Sequence, residues 1–324
     1  MGSKGRDSAE SSEEQRGGPK GSADELSDPS SAPVDFPKQS PLFYAQHSER
    51  YERQRLIREY QRCFHCRLVV LVDVIFPDSI TLLEELIADA DPSEDLHLLL
   101  DTPGGDGETA VRLARSAQAR CAELTVIVPN QAKSAGTLLA MGAHHILMGP
   151  TSDLGPVDPQ FPSPEGGPED LYSAKDLIAA VDHAEASIAA QPDTFPLHVS
   201  LLAKVNAVMV QQARSALERS GDLVREALRS QPDRSEDDVE GVACAVQEKL
   251  IDLPKEHGAV FDAGDAEKAG LPVIHADPRS DQWRLIWLLW AKYFSLESYV
   301  AEGQYASQIA PRADQSQVRD SSEQ

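Results

Sequence analysis

Cysteine is scarce in this sequence. Only four cysteines occur in 324 residues, too few to make a disulfide scaffold in a chain of this length. Cys63 and Cys66 form a Cys-Phe-His-Cys motif that could begin a zinc site, but a structural zinc needs four ligands and the sequence has no second CxxC pair. We therefore predict reduced thiols at the entrance to the first strand, with no metal and no other cofactor.

Positive charge is also in the minority. The chain has 30 Lys and Arg residues against 53 Asp and Glu residues, which gives a formal net charge of −23. Lys and Arg side chains supply the contacts to phosphates and to anionic lipid headgroups. The composition therefore argues against a nucleic-acid partner and against an anionic membrane surface, and it favours high solubility.

Long apolar runs are missing as well. No segment has the roughly 20 apolar residues of a membrane span, and the first forty residues lack the apolar core of a secretory signal. Residues 1–40 have almost no large apolar side chains, so we expect a disordered tail there, and a second one at 311–324. These features predict a cytoplasmic protein without stable membrane insertion.

The most informative segment that is present begins with an apolar run at 96–100. It is too short for a helix and ends at Asp-Thr-Pro, so it reads as a buried strand of a parallel sheet. Gly104 and Gly105 follow at the carboxyl end of this strand. Because glycine has no Cβ, this turn can expose backbone N–H groups to a bound carbonyl oxygen. Such amides suit an oxyanion hole.

A second strand and a second turn follow. Residues 108–120 have helical spacing of apolar positions, residues 124–128 form another apolar strand, and 137–141 form an apolar helix. Ser134 lies at the turn between that strand and that helix, where Ala135 and Gly136 leave room for a substrate. Ser134 could be no more than a helix cap. The pairing of the diglycine turn with a serine turn on successive strands instead favours an active site, since sites in open α/β sheets form at the carboxyl ends of strands.

Three motifs resemble those of one protein family. They are Asp-Thr-Pro-Gly-Gly-Asp at 101–106, Ala-Lys-Ser-Ala-Gly-Thr at 132–137 and Met-Gly-Pro-Thr-Ser-Asp-Leu-Gly-Pro-Val-Asp-Pro-Gln at 148–160. Together they resemble the serine dehydrogenase proteinases of the Clp protease/crotonase superfamily, with signal peptide peptidases as more distant relatives. The resemblance extends from about residue 51 to residue 287.

The resemblance implies a fold and a reaction. The fold would be α/β, a Clp protease/crotonase-like spiral of ββα units with a helical C-terminal extension. The reaction would be peptide-bond hydrolysis with Ser134 as nucleophile and an oxyanion hole from the Gly105 and Ala135 amides. Gly104, Lys133 and Gly136 are the predicted substrate-binding residues, although Lys133 could also hold a carboxylate.

The general base is harder to predict. Clp-type subunits use a histidine after the strand that follows the serine helix, but residues 154–160 contain none. Signal peptide peptidase relatives use a lysine further along the chain, and Lys175 occupies a comparable place. A lysine base must be desolvated to bring its pKa down from about 10.4. Lys175 could equally be a solvated residue in the first turn of a helix. The alternative bases are His144 and His145, for which structural roles are favoured, and His257, which folding could bring near the site.

The rest of the chain predicts one large domain at 41–280. It includes a helical arm with helices at 177–190, 197–220 and 239–250. In the superfamily such arms pack against neighbouring subunits, so the resemblance implies a homo-oligomer. Residues 281–310 contain all three tryptophans in a short helix, which suits either a buried contact or, as we favour, an oligomer interface.

Three functions are consistent with these features. The first is an ATP-independent serine peptidase acting on peptides or proteins, since the sequence has no GxxxxGK[ST] loop. The second is a crotonase-type enzyme acting on an acyl thioester. The serine and the lack of an evident basic site for the phosphates of coenzyme A argue against it. The third is a catalytically silent scaffold that has kept the fold.

Overall fold

The computed structural model describes residues 40–162, 171–252 and 259–311. The chain divides into two compact units, residues 1–46 and residues 47–324. Only Ser40 and the start of the first helix are described in the first unit. His257, one of the alternative bases, and both predicted tails lie outside the described residues, apart from Ser40 and Pro311.

Helices and strands alternate through the first half of the chain. The helices are α1 (Pro41–Phe64), α2 (Ser79–Leu86), α3 (Gly107–Gln118), α4 (Ala135–Met141), α5 (Ala174–Ala190), α6 (Phe195–Leu201), α7 (Ala207–Leu228), α8 (Glu236–Val246), α9 (Ala263–Lys268) and α10 (Asp281–Phe294). The strands are β1 (Cys66–Val72), β2 (Asp95–Asp101), β3 (Leu124–Val128), β4 (Gln131–Ala132), β5 (His145–Met148), β6 (Asp153–Leu154), β7 (Gln160–Pro162), β8 (Leu171–Ser173), β9 (Val273–His275), β10 (Ser298–Glu302) and β11 (Ser307–Pro311). No helix in these ranges is both long enough and apolar enough to cross a membrane.

Seven of the strands form the main sheet. Their order is β11-β10-β1-β2-β3-β5-β9, parallel from β1 to β9 and antiparallel at β10 and β11. The middle strands are nearly continuous runs of Leu, Val and Ile because both faces of the sheet are covered. Side chains of α2, α3, α4 and α7 join the core on one face, and those of α1 and α10 join it on the other.

A second layer of short extended segments builds the spiral. Each long strand is followed by a short segment that pairs with the corresponding segment of the next unit, and a helix then returns the chain to the sheet. These pairings are Ile75 with Gly105, Thr102 with Ala132, β4 with β6, and Leu154 with Phe261. The predicted α/β fold of ββα units is therefore confirmed.

The arm differs from the prediction in one respect. The helix expected at 197–220 is two helices, α6 and α7, because the chain turns at 202–206 and Asn206 begins a new helix by accepting a hydrogen bond from the Met209 N–H (3.0 Å). A π-helical segment, Gln247–Asp252, extends α8.

The aromatic segment near the C-terminus is mostly part of the core. Trp283, Trp290 and Tyr293 of α10 are buried against the sheet, and a Cβ on Gly149 would lie 2.1 Å from the Trp283 ring. The chain then forms the β10–β11 hairpin, whose first strand pairs with β1. Trp283, Trp290 and Tyr293 therefore make a buried contact, whereas Trp287 remains half-exposed, and the oligomer contact of this helix stays a prediction.

Candidate active site

Ser134 has a strained backbone. Its φ of 47° and ψ of −110° lie in a region that non-glycine residues rarely adopt, and such strain persists only where the surrounding structure enforces it. Ser134 occupies the residue before α4, yet its side chain makes no capping hydrogen bond. The alternative that Ser134 serves only as a helix cap is therefore wrong.

The diglycine turn lies directly against the serine turn. Gly104 and Gly105 have φ values of +118° and +133°, which side chains rarely allow. A Cβ on Gly104 would lie 3.0 Å from the Ser134 Cβ and 3.7 Å from the Ala135 nitrogen. A Cβ on Gly105 would lie 2.0 Å from the Ile75 carbonyl oxygen. Both positions therefore require glycine, and the two turns face each other at contact distance.

Two backbone amides at this junction are available to a ligand. Ala135 is the first residue of α4, so its N–H has no acceptor within the helix. In the described part of the chain, neither the Ala135 N–H nor the Gly105 N–H donates a hydrogen bond to another backbone or side-chain group. An oxyanion hole needs this kind of fixed and unoccupied donor.

Ser134 and the diglycine turn open into a cavity of about 630 Å³. Part of its wall is apolar and comes from Leu138, Val157, Leu171 and Leu223. A cavity of this size, apolar with a few fixed polar groups, is typical of a binding site.

The charged groups of the cavity are mainly acidic. Asp106 accepts a hydrogen bond from the Thr109 N–H (2.6 Å) and so begins α3. Glu108 binds the Arg219 guanidinium through both carboxylate oxygens, at 2.7 Å each. The same guanidinium donates to Glu226 (2.6 Å), and this hydrogen bond lowers the pKa of Glu226. The Glu108–Arg219 pair joins α3 to α7 beside the opening, and Glu226 of α7 braces the same guanidinium.

Asp158 is a cavity residue to which the sequence assigned no role. Its side chain is buried, and it accepts a hydrogen bond from the Gln160 side chain (2.8 Å). The segment 154–160 was recognised as part of a family motif, but a carboxylate between a valine and a proline carries no signal of burial. Only the pairing of β4 with β6 shows that this segment passes beside Ser134.

Two of the predicted substrate-binding residues have other contacts. Lys133 pairs with Asp153 and donates to the Ala259 carbonyl oxygen (3.3 Å), so it holds a carboxylate of its own chain. A Cβ on Gly136 would lie 2.4 Å from the Thr102 methyl carbon, so glycine there allows α4 to pack closely. Neither residue lines the cavity, whereas Gly104 does.

Lys175 lies near the cavity but not in its described lining. The Ala174 N–H donates to the carbonyl oxygen of the cavity residue Pro159 (2.9 Å), which fixes the start of α5. The Lys175 ammonium donates to the Ile251 carbonyl oxygen (3.1 Å). A role for Lys175 as base stays a prediction.

The alternative bases His144 and His145 lie at the opposite end of the strands from Ser134. They lie at the amino-terminal end of β5, whereas Ser134 follows the carboxyl end of the neighbouring parallel strand β3. His144 accepts a hydrogen bond from the Leu124 N–H (3.0 Å), and burial lowers its pKa. His145 pairs with Glu123 (3.2 Å). Both have structural contacts, and neither can serve as the base for Ser134.

The ββα spiral and its sheet define a Clp protease/crotonase-like α/β fold. Residues 69–186, which contain both turns and Lys175, match a family described as ClpP-like SDH-type serine proteinase. The match confirms the resemblance to the serine dehydrogenase proteinases.

Similar proteins include two uncharacterized proteins of Methanocaldococcus jannaschii. MJ0137 is 39% identical over 91 residues, which is 28% of this chain and 29% of that protein. MJ1495 is 38% identical over 66 residues, 20% of this chain and 23% of that protein. The matched segments thus span less than a third of either relative. Among solved structures, a mutant of the 1510-N membrane-bound stomatin-specific protease is 22% identical, with a TM-score of 0.29 over 35% of this chain and 58% of that one.

Proposed function

We propose that this protein is a serine peptidase with Ser134 as its nucleophile. The observation that carries the proposal is the close contact between two strained turns. A Cβ added to Gly104 would lie only 3.0 Å from the Ser134 Cβ. The match of residues 69–186 to the ClpP-like SDH-type serine proteinase family supports the same function. A cavity in front of Ser134 gives a substrate access.

The proposed reaction has two stages. The Ser134 oxygen attacks the peptide carbonyl carbon while its proton passes to a base, and the carbonyl oxygen takes the negative charge. The Gly105 and Ala135 N–H groups donate to that oxyanion. The tetrahedral intermediate expels the amine, which receives the proton, and leaves an acyl ester on Ser134. Water then hydrolyses the ester and regenerates the serine.

We propose Lys175 as the base. Its support is the family resemblance and its place at the start of α5, where the chain is hydrogen-bonded to the cavity residue Pro159. A lysine in this role must lose its proton, which requires partial desolvation. To act on Ser134, its ammonium must give up the hydrogen bond that it now donates to the Ile251 carbonyl oxygen (3.1 Å).

The proposed substrates are peptides or proteins, and nothing in the reaction consumes ATP. Hydrolysis of a peptide bond in this site uses only the groups named above and water. The cytoplasmic location and the homo-oligomer stay predictions from the sequence.

The two other functions receive less support. Arg219 is the basic residue in the described part of the cavity lining, and two glutamates pair with it, which disfavours the phosphates of coenzyme A. The described lining contains no lysine and no histidine. A silent scaffold is therefore the alternative that an activity measurement must exclude.

The test is hydrolysis of a peptide library in nucleotide-free buffer, with products identified by mass spectrometry. Ser134→Ala should lose roughly a thousandfold or more of the activity. Ser220 lines the same cavity, so Ser220→Ala is the matched control and should retain activity. Lys175→Arg keeps the positive charge but cannot supply a neutral base, and should be as inactive as Lys175→Met.

Three results would contradict the proposal. Activity that survives Ser134→Ala would remove Ser134 as nucleophile. Activity in Lys175→Arg would remove the lysine base but not the serine. An inactive but folded wild-type protein would favour the scaffold.

A further inference from the structure

Thr102 connects the two turns of the site through its backbone. It follows β2, and its N–H donates to the Gln131 carbonyl oxygen (3.0 Å). Its own carbonyl oxygen accepts from the Lys133 N–H (3.0 Å). These hydrogen bonds pair Thr102 with Ala132, just before the serine turn. A shift of Thr102 would therefore be transmitted to the segment that carries Ser134.

The Thr102 hydroxyl holds the diglycine turn. The Gly104 N–H donates to Thr102 Oγ1 (3.0 Å), and the hydroxyl donates to the Gly104 carbonyl oxygen (3.2 Å). That carbonyl also accepts from the Ile75 N–H (2.8 Å). The Gly104 carbonyl group and the Gly105 N–H belong to the same planar peptide unit. The hydroxyl, together with the Ile75 N–H, therefore holds the direction of the proposed oxyanion donor.

The Thr102 methyl group contacts the other turn. A Cβ on Gly136 would lie only 2.4 Å from Thr102 Cγ2, so the methyl group rests against the start of α4. Thr102 is fully buried. The hydroxyl and the methyl group share one tetrahedral Cβ, and a β-branched side chain has few χ1 choices, so both are held in fixed directions relative to the backbone. One arm holds the oxyanion turn and the other abuts the first helical turn after Ser134.

We propose that Thr102 is a positioning residue that fixes the Gly105 N–H relative to the Ser134 hydroxyl. The inference rests on the proposed peptidase function. A donor aimed at the developing oxyanion stabilises the transition state more than the bound substrate. Loss of the hydroxyl should therefore lower kcat and leave KM nearly unchanged.

Substitutions can separate the two arms. Thr102→Val keeps the shape and removes the hydroxyl, and Thr102→Ser keeps the hydroxyl and removes the methyl group. Thr125 is a buried threonine in β3 at the amino-terminal half of the strand, so Thr125→Val is the matched control. The readouts are kcat and KM for one peptide substrate, and the affinities of the corresponding peptide aldehyde and peptide alcohol. The aldehyde forms a hemiacetal with the serine, whereas the alcohol binds only as a ground-state ligand.

The expected result is a split between these readouts. Thr102→Val should lower kcat roughly 10- to 100-fold, with KM within about threefold of wild type. Affinity for the aldehyde should fall by a similar factor, while affinity for the alcohol stays within about threefold. Thr102→Ser and Thr125→Val should keep kcat within about threefold. If Thr102→Val does not fold, the pair Thr102→Ala and Thr102→Ser gives the same comparison, because these differ only in the hydroxyl.

Other results would overturn the inference. A wild-type kcat in Thr102→Val, an equal loss of aldehyde and alcohol affinity, or a Thr102→Ser variant as impaired as Thr102→Val would each do so. These results leave the wild-type enzyme active and so differ from a failure of the peptidase proposal. If the peptidase proposal fails, the wild-type protein itself will hydrolyse no peptide, and the inference about Thr102 fails with that proposal.

Discussion

At the scale of single residues, the site depends on backbone conformations that most side chains do not allow. Ser134, Gly104 and Gly105 all have positive φ values, and the two glycines occupy positions where a Cβ would meet other atoms at 3.0 Å or less. The exposed Gly105 amide is a direct consequence of that geometry. Strain of this kind is a feature of functional sites.

Replacing Gly105 with alanine should therefore remove activity. A Cβ at this position would lie 2.0 Å from the Ile75 carbonyl oxygen, so the turn must move and the amide with it. We expect Gly105→Ala to abolish peptide hydrolysis and to lower the free energy of unfolding by more than about 1 kcal/mol. Gly241 of α8 is the control, since a Cβ added there would have no neighbouring atom within 4 Å. Gly241→Ala should stabilise the protein by roughly 0.5–1 kcal/mol and keep activity. Full activity in Gly105→Ala would rule out its amide as a required donor.

A histidine far from the site should make stability depend on pH. His97 in β2 is bound to the Tyr60 hydroxyl (2.8 Å), and burial lowers its pKa to about 4. The unfolded chain has a histidine pKa of roughly 6.5 and so binds the proton first as pH falls. The free energy of unfolding should therefore decrease between about pH 6.5 and 4 by roughly 1–3 kcal/mol from this residue.

Urea denaturation at pH 7 and pH 4.5 checks this effect. His97→Gln should lose less stability on acidification than the wild-type protein, because it has no proton to bind at this position. His275→Gln, a change at an exposed histidine, should lose as much as the wild type. Identical losses in the wild type and in His97→Gln would show that His97 does not titrate differently on unfolding.

The two turns that form the site could be predicted from the sequence. The turns at Gly104–Gly105 and at Ser134 follow from short apolar strands that end in turn residues, and the motifs carry the resemblance to the serine dehydrogenase proteinases. The true contacts of Lys133, Gly136 and His144 were not predictable, because each depends on a partner distant in sequence: Asp153, Thr102 and Leu124. Thr102 and Asp158 gave no local signal either: their hydrogen bonds to Gly104 and Gln160 are short-range, but their burial comes from segments that only the fold brings together.

At the scale of elements, a buried ion pair joins three parts of the second unit. Arg53 of α1 donates to Glu302 of β10 (2.8 Å), and the Tyr293 hydroxyl of α10 donates to the same carboxylate (2.7 Å). Arg53 is 2% and Glu302 0% exposed. Removing one member leaves a buried charge without its partner.

Arg53→Met should therefore be strongly destabilising. We expect a loss of about 3–5 kcal/mol in the free energy of unfolding, measured by urea denaturation. Arg55 lies on the same helix but is 53% exposed, with Glu52 and Glu59 as partners. Arg55→Met should cost less than about 1 kcal/mol. Equal costs for the two substitutions would show that the buried pair does not connect these elements.

The sequence predicted most elements but missed the C-terminal hairpin. Strands β2 and β3 are apolar runs with clear ends, and they lie within one residue of the predicted bounds 96–100 and 124–128. By contrast, β10 and β11 are short and polar at several positions, as antiparallel strands at a sheet edge often are. The pairing of β10 with β1 joins segments more than 200 residues apart, which no local pattern reveals.

At the scale of the whole molecule, the arm has an exposed apolar surface. Large apolar side chains of α6 and the start of α7 are more than half exposed: Phe195, Leu197, Val199, Leu201 and Val208. Apolar patches of this kind are typical of contacts between proteins. We place the predicted contact between copies of the chain on this surface, and the exposed side of α10, which includes Trp287 and Phe294, is the alternative.

Sedimentation velocity tests this assembly. The chain has a mass of 35.2 kDa, and we expect the wild-type protein to sediment as a larger species. Leu201→Glu combined with Val208→Glu should shift it toward the monomer, because charge at the contact opposes association. Trp287→Glu on the exposed side of α10 is the control and should leave the assembly intact. A monomeric wild-type protein would contradict the prediction, and dissociation only by Trp287→Glu would place the contact on α10.

The most direct test of the central claim is a map of where a serine-reactive fluorophosphonate attaches to the folded protein. Peptide mass spectrometry should find the adduct on Ser134, and Ser134→Ala should remove it, whereas Ser220→Ala should not. Lys175→Arg should slow the labelling sharply if the lysine is the base. A folded wild-type protein that carries no adduct on Ser134 would contradict the assignment of Ser134 as an activated nucleophile.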